Sequence, residues 1–388
     1  MRDQPRRRTI NGGSVLAIIE WLSGDECHSL DEAGLIFGLG RQLQAIGLPV
    51  DRLTLHLMTL HPEYLGRSVA WAPEEPVEIH DRLHGAVSPA FLDSALRQSM
   101  KTREIIIAGR EGAGASWQYM DIFAARELVQ LFIVPLCNAD GPVSAAAFGT
   151  KRPTGFTESE RQIIERIMPA LRNACELRTL RQVELSLLDT YVGPLTAQRI
   201  LGGRIRQGEI ESIDAALLLC DLRGFTELSN RLPASEVMQL LNGYFDTVVP
   251  AITGQGGEVL KFMGDAVLAF FPGYSAAWAT AAASQAATEI LEKIETTQIA
   301  GMKVSVGVAL HYGEVSYGNI GSGRRLDFTL IGPDVNMVSR IQHVCSQEGR
   351  ELLMSAPFVI ANGSGIENSI GTRLLKGFKN PVELFEGK

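Results

Sequence analysis

Apolar residues in the second half of the chain recur with two different periods. In residues 235–253, SEVMQLLNGYFDTVVPAIT, the side chains Val237, Leu240, Leu241, Tyr244, Phe245, Val248, Val249 and Ile252 fall on one stripe, as in a helix packed on a core. The flanking runs are strand-like: IDAALLLCD, ending at Asp221, and the two halves of GEVLKFMGDAVLAFF, which meet at Gly264-Asp265, a favourable hairpin turn. An alanine-rich stretch from Ser275 predicts a helix, KVSVGVALHYGEVSYGNI two strands, and DFTLIG a strand. Gly332-Pro333 then forces a turn, and Asp334 is expected to cap the helix DVNMVSRIQHVC. Strands of both kinds interleaved with helices predict an α+β fold, a sandwich of helices on a mostly antiparallel sheet.

The first half alternates in the same way. DEAGLIFGLGRQLQAIG reads as an amphipathic helix, RLTLHLMTLH and LVQLFIVPLC as strands, with turn-rich WAPEEPVE and NADGPVSA between segments. GFTESERQIIERIMPALRNACELRTLRQVELSLL opens with Thr157 followed three residues on by Glu160, the pattern of a capping box. A long helix follows, spaced to run on as a coiled-coil-like connector, with Pro169 expected to kink or divide it. Gly193-Pro194 and Gly202-Gly203 mark a linker. The predicted order is an N-terminal tail and helix (1–29), an α/β domain (30–156), a helical connector (157–208) and an α+β domain (209–388).

Composition narrows the function. The 388 residues are 45% hydrophobic with a formal net charge of -8, which fits globular domains and argues against a general nucleic-acid binder. Cys27, Cys137, Cys175, Cys220 and Cys345 are far apart with no CxxC spacing, so neither a disulfide framework nor a zinc site is suggested, and a reducing cytoplasm fits best. The start, MRDQPRRRTINGGSVLAIIEWL, is basic like an export signal, but its apolar stretch is short and interrupted by Glu20. No apolar run approaches the ~20 residues of a membrane span, so no transmembrane segment is expected and anchoring would need a partner.

Chemistry concentrates in three places. Asp221 at a strand end and Asp265 at a hairpin tip converge if those strands are neighbours, and converging carboxylates call for a cation, most naturally a hard divalent ion facing a phosphate. Each aspartate alone is ordinary in turns. The turn Arg223-Gly224-Phe225-Thr226 can offer backbone N–H groups to a triphosphate, or simply start a helix. Asn336 and Arg340 stand at i and i+4 on one helix face, where an amide and a guanidinium can orient a ribose and meet phosphate charge, or merely be solvated.

Together these motifs resemble a class III nucleotidyl cyclase catalytic domain, a ferredoxin-like α/β sandwich. The resemblance covers residues 190–388 through YVGPLTAQRILGG, CDLRGFTELS, LKFMGDAVLAFF, GNIGSGRRLDFTLIGPDVNMVSR and LLKGFKNPVELFE. It implies that Asp221, Leu222 and Asp265 hold two divalent metals, Mg2+ or Mn2+, and that Phe225 and Thr226 lie at the triphosphate. It further implies that Asn336 positions the ribose, that Arg340 stabilises the transition state, and that Arg324 and Lys376 are further cations for the triphosphate. Lys261 and Thr329 occupy the base-reading positions; adenylate-specific relatives pair lysine with aspartate or threonine, guanylate-specific ones carry glutamate and cysteine, so ATP is expected as substrate and cyclic AMP as product. Threonine also resembles a subgroup with bicarbonate-responsive members. The site in this family forms between two cyclase domains, which implies a homodimer here. A guanylate or mixed-specificity cyclase, a nucleotide-binding module without turnover and a sensory scaffold are the competing readings.

Residues 30–178 resemble a GAF-type sensor domain through segment order and the closing helix, which implies regulation by a small-molecule or other signal. His56, His61, His80 and His84 are candidate haem or metal ligands, though scattered histidines are more often structural. Cys27-His28 is the one hint of bilin attachment, and its surroundings do not support it.

Overall fold

The structure, a computed structural model, describes residues 12–59, 61, 64–84, 91, 93–109, 125–137, 143–273, 275–363, 365 and 368–387. The basic tail before Gly12 and most of the NADGPVSA turn lie outside them. Two compact units divide at Leu187/Leu188.

In the first unit, helices α1 (Gly12–Ser23), α2 (Asp25–His28) and α3 (Glu32–Ala45) precede strands β1 (Arg52–Met58), β2 (Tyr64–Trp71) and β3 (Glu78–Leu83). Helix α4 (Ala95–Thr102), strands β4 (Ile106–Gly109), β5 (Gln130–Leu136) and β6 (Ser144–Thr150), and helix α5 (Glu158–Val192) follow. The strands form an antiparallel sheet in the order β3-β2-β1-β6-β5-β4. Strand alternation sends Leu53, Leu55 and Leu57 into one core with Leu35, Leu39, Ile164 and Leu171, while Ala145 and Ala147 of β6 face a smaller core with Leu96 of α4.

Helix α5 begins at the expected capping box: the Thr157 amide donates to Glu160 at 2.8 Å and the Glu160 amide to the Thr157 hydroxyl at 3.3 Å. Pro169 does not divide this helix. The carbonyl it leaves unbonded belongs to Glu165, and both residues lie on the exposed face, where water replaces the lost donor.

The second unit holds α6 (Pro194–Leu201), β7 (Ile210–Leu222), α7 (Phe225–Arg231), α8 (Ala234–Gly254), β8 (Glu258–Met263), β9 (Ala266–Pro272) and α9 (Ala276–Thr296). Next come β10 (Val306–Ser322), β11 (Arg325–Ile331), α10 (Pro333–Gln347), β12 (Leu352–Ser355), α11 (Ala356–Asn362), β13 (Asn368–Arg373) and β14 (Val382–Glu386). The sheet order is β13-β14-β12-β10-β7-β9-β8, with β11 on β10. Its β10-β7-β9-β8 part, built from β7-α8-β8-β9-α9-β10, is the expected ferredoxin-like sandwich.

The predicted stripe of α8 is buried through Leu240, Tyr244, Val248 and Ile252, each 0% exposed, against Leu218 and Cys220 of β7. Each such burial contributes about 2 kcal/mol. Helix α10 covers the opposite face, where Val338 and Ile341 meet Leu217 and Leu219. One expectation fails: residues 306–322 form one strand rather than two. Gly313 causes no break, because β7 pairs with β10 continuously from Leu222↔Val306 to Ile210↔Gly318.

Candidate active site

Strand pairing brings the two aspartates together. Val267 pairs with Cys220, so the turn before β9 lies beside the end of β7. Gly264 takes that turn at φ 70°, a conformation that costs other residues. Asp265 thereby lies close enough to Asp221 for the two carboxyls to interact. Burial, then the hydrogen bond to Asp221 and its charge, push the Asp265 carboxyl up to about 7.

Such a pair resists carrying two negative charges unless a cation lies between them. Its oxygen donors suit a hard divalent ion that takes its remaining ligands from water and substrate phosphate. Among the described residues no group of three or more His, Cys, Asp or Glu could hold a metal, so an ion at the acidic pair would have to complete its shell from backbone, water or substrate oxygens. Leu222 stands beside it as a backbone neighbour, its side chain buried.

The two residues expected to face a base, Lys261 and Thr329, lie on β8 and β11. Lys261 forms an ion pair with Asp327, a residue that no motif in the sequence singles out. Thr329, two residues further along the same face of β11, is 6% exposed and pairs with Gly318 of β10.

Asn336 is exposed and Arg340 half-buried on α10. Asp334 does not cap that helix. The N-cap is Gly332 and makes no side-chain bond, and Asp334 Oδ1 instead meets His311 Nε2 at 3.0 Å. A partner across the sheet has displaced the local one.

The turn after Asp221 is partly committed to the fold. The Arg223 amide donates to the Ser305 carbonyl at 2.8 Å, which removes it from a phosphate cradle. Its guanidinium turns inward to the Arg350 carbonyl at 2.6 Å and Cys345 Sγ at 3.2 Å. Gly224, at φ 69°, starts α7, and Phe225 and Thr226 open its first turn. Arg324 is exposed in the β10–β11 turn, whereas Lys376 is exposed between β13 and β14, at the sheet edge opposite β8. Within one chain Lys376 therefore stands apart from the carboxylate pair.

Glu258 is the other residue that spacing did not reveal. It is 3% exposed at the start of β8 and accepts from the amides of Leu195 (2.7 Å) and Thr196 (3.0 Å) and from the Thr196 hydroxyl (2.8 Å). Burial raises its carboxyl while these bonds oppose the rise. It fastens the start of α6 to the strand carrying Lys261.

The histidines of the first unit do not assemble into a ligand set. His56 Nδ1 lies 2.6 Å from Arg82, His61 Nδ1 accepts the Tyr64 amide at 3.3 Å, and His84 Nε2 meets the His61 carbonyl at 2.8 Å. His80 is exposed, and Cys27 is buried beside Arg178 at 3.6 Å.

Fold and carboxylates define a ferredoxin-like α+β catalytic domain with an acidic pair at one sheet end. Residues 209–357 match the adenylate and guanylate cyclase catalytic domain, the catalytic domain of the class III cyclases. The adenylate cyclase of Anabaena cylindrica is 30% identical over 222 residues, 54% of this chain and 43% of that one. The solved adenylyl cyclase CyaB of P. aeruginosa is 27% identical over 46% of this chain and 95% of its own, with a TM-score of 0.42. For the guanylyl cyclase Cya2 the figures are 30%, 47%, 93% and 0.39. The chain spans less than half the length of the first curated relatives it matches. Among the described residues no helix is long and apolar enough to cross a membrane.

Proposed function

We propose that the second unit is an adenylate cyclase acting as a homodimer, converting ATP to 3′,5′-cyclic AMP and pyrophosphate. The observation that carries this reading is the convergence of Asp221 and Asp265, with the raised carboxyl of Asp265. The choice of ATP rests on Lys261 and Thr329: a lysine donates only and serves an acceptor of the purine ring, and a threonine hydroxyl accepts from the adenine amine.

Asp221 and Asp265 would hold Mg2+ or Mn2+, which would neutralise triphosphate charge and make the 3′-hydroxyl easier to deprotonate. Asn336 orients the ribose and Arg340 donates to oxygens of the α-phosphate as charge develops there. The bond from the 3′-oxygen to the α-phosphorus forms as the bond to the bridging oxygen breaks. The hydroxyl proton passes to solvent and pyrophosphate leaves.

The first unit is proposed as a GAF-like sensor. Its support is the six-stranded sheet with helices on both faces, closed by the helix that leads to the catalytic unit.

Purified protein assayed with ATP or GTP and with Mg2+ or Mn2+, beside Asp265→Ala, tests the catalytic reading. Metal-dependent cyclic AMP lost in the variant supports it. Preferential turnover of GTP replaces ATP with GTP, and no product from either leaves a nucleotide-binding module.

A further inference from the structure

Asp334, His311 and Ser355 form a continuous hydrogen-bonded chain that the site described above does not use. His311, 3% exposed in the middle of β10, meets Asp334 Oδ1 through Nε2 at 3.0 Å and Ser355 Oγ through Nδ1 at 2.7 Å. Ser355 is fully buried and caps α11, accepting the Phe358 amide at 3.4 Å.

One proton arrangement satisfies every member. An ionised carboxylate only accepts, so Nε2 carries the hydrogen; Nδ1 then accepts from the Ser355 hydroxyl, whose oxygen accepts from the Phe358 amide. Although these are the residue types of an acyl-transfer triad, the serine is sealed at a helix cap and no substrate can reach it.

The chain's position gives it another role. Asp334 is two residues before Asn336 and six before Arg340, in the first turn of α10, which has no side-chain cap of its own. Further along, α10 is held to β10 by Gln342 Nε2, which donates to the Gly307 carbonyl at 3.0 Å. Asp334 is thus the tie at the helix start. The neighbouring strand makes room for it: a Cβ on Gly313 would stand 2.4 Å from Asp334 Oδ2.

We propose that Asp334 and His311 are positioning residues for cyclisation, fixing the start of α10 against β10 so that Asn336 and Arg340 stand where ribose and α-phosphate require them. This rests on the cyclase reading. Misplacement by about 1 Å can cost ~100-fold in rate. Asp334→Ala is therefore expected to lower kcat by ~10–100-fold while KM for ATP stays within ~3-fold, because Lys261, Thr329 and the carboxylates lie on other elements. Asp334→Asn keeps an accepting oxygen and should recover most of the rate.

Two readouts do not need turnover. In the full chain, 15N imidazole NMR should show His311 as the Nε2–H tautomer, disturbed in Asp334→Ala and Ser355→Ala. Hydrogen exchange at amides 333–340 should quicken in Asp334→Ala and less so in Asp334→Asn. Wild-type kcat in Asp334→Ala, or an Asp334→Asn rate no better than that of the alanine variant, overturns the proposal. If the wild type makes no cyclic nucleotide, the cyclase reading falls and exchange decides the positioning claim: unchanged protection at 333–340 in Asp334→Ala overturns it.

Discussion

Replacing Asp265 by asparagine should stabilise the metal-free protein above pH 7 while removing its response to divalent ions. Burial and Asp221 raise the Asp265 carboxyl from an ordinary 3.8 to about 7. At ~1.4 kcal/mol for each pH unit, that rise sets a ceiling of about 4 kcal/mol. Asp265 is half-buried, so solvent screening reduces the expected cost to ~1–2 kcal/mol. The folded carboxyl titrates above the unfolded one; the native chain therefore keeps a proton between these values that the unfolded chain has lost. Stability falls as pH rises through that window, and the penalty is complete above about 7.

An asparagine carries no charge and its amide still donates to Asp221. The variant should gain ~1–2 kcal/mol over wild type at pH 8, and the gain should vanish near pH 4. Metal reverses the order, since ligand at ~100 times its Kd stabilises wild type by about 2.7 kcal/mol and the variant by much less. Urea titration read by hydrogen exchange on peptides covering 210–222 and 266–272 follows this unit alone. An Asp265→Asn protein less stable than wild type at pH 8 without metal, or equally stabilised by Mg2+, refutes the account of the pair.

Other consequences are open to direct measurement. Lys261→Ala should reduce kcat/KM for ATP by ~10–100-fold, the effect of a lost charge-assisted contact at the base, and steady-state competition against GTP should show weaker discrimination. Asp327→Ala frees the same ammonium and should raise KM more than it lowers kcat; an unchanged KM would show that the ion pair does not orient Lys261. Glu258→Ala leaves the buried Leu195 and Thr196 groups without an acceptor, for ~2–4 kcal/mol of destabilisation, and Glu258→Gln should cost less; chemical denaturation ranks the two. Deleting residues 1–180 should alter the rate if the first unit regulates, and a deletion that leaves both rate and dimerisation untouched removes that role.

Features whose cause is local were legible in the sequence. The α8 stripe, the Thr157–Glu160 box and the Gly264-Asp265 hairpin each follow from residues within a few positions of one another. Asp334 misled because its local role, capping, lost to His311, 23 residues earlier. Lys261 and Asp327 are separated by 66 residues, and Glu258 by 62 from the Thr196 it holds. No spacing rule reaches such pairs, which meet only through the tertiary packing built on the sheet's register.

Strand β10 is where that register is set. Along its length Gly307 pairs with Asp221, His311 receives Asp334, and Gly318 pairs with Thr329. The Asp221 end of β7, the helix of Asn336 and Arg340, and the strand of Thr329 therefore take their positions from one continuous strand. Read as two strands, this segment would allow the Asp221 and Thr329 ends of the sheet to shift independently. As a single strand of 17 residues, it transmits a slip at either end to the other, and a one-residue slip reverses every side chain. The buried Leu310, Val315 and Tyr317 oppose such a slip, so the core that stabilises the domain also fixes the distance between Thr329 and the Asp221 end of the sheet.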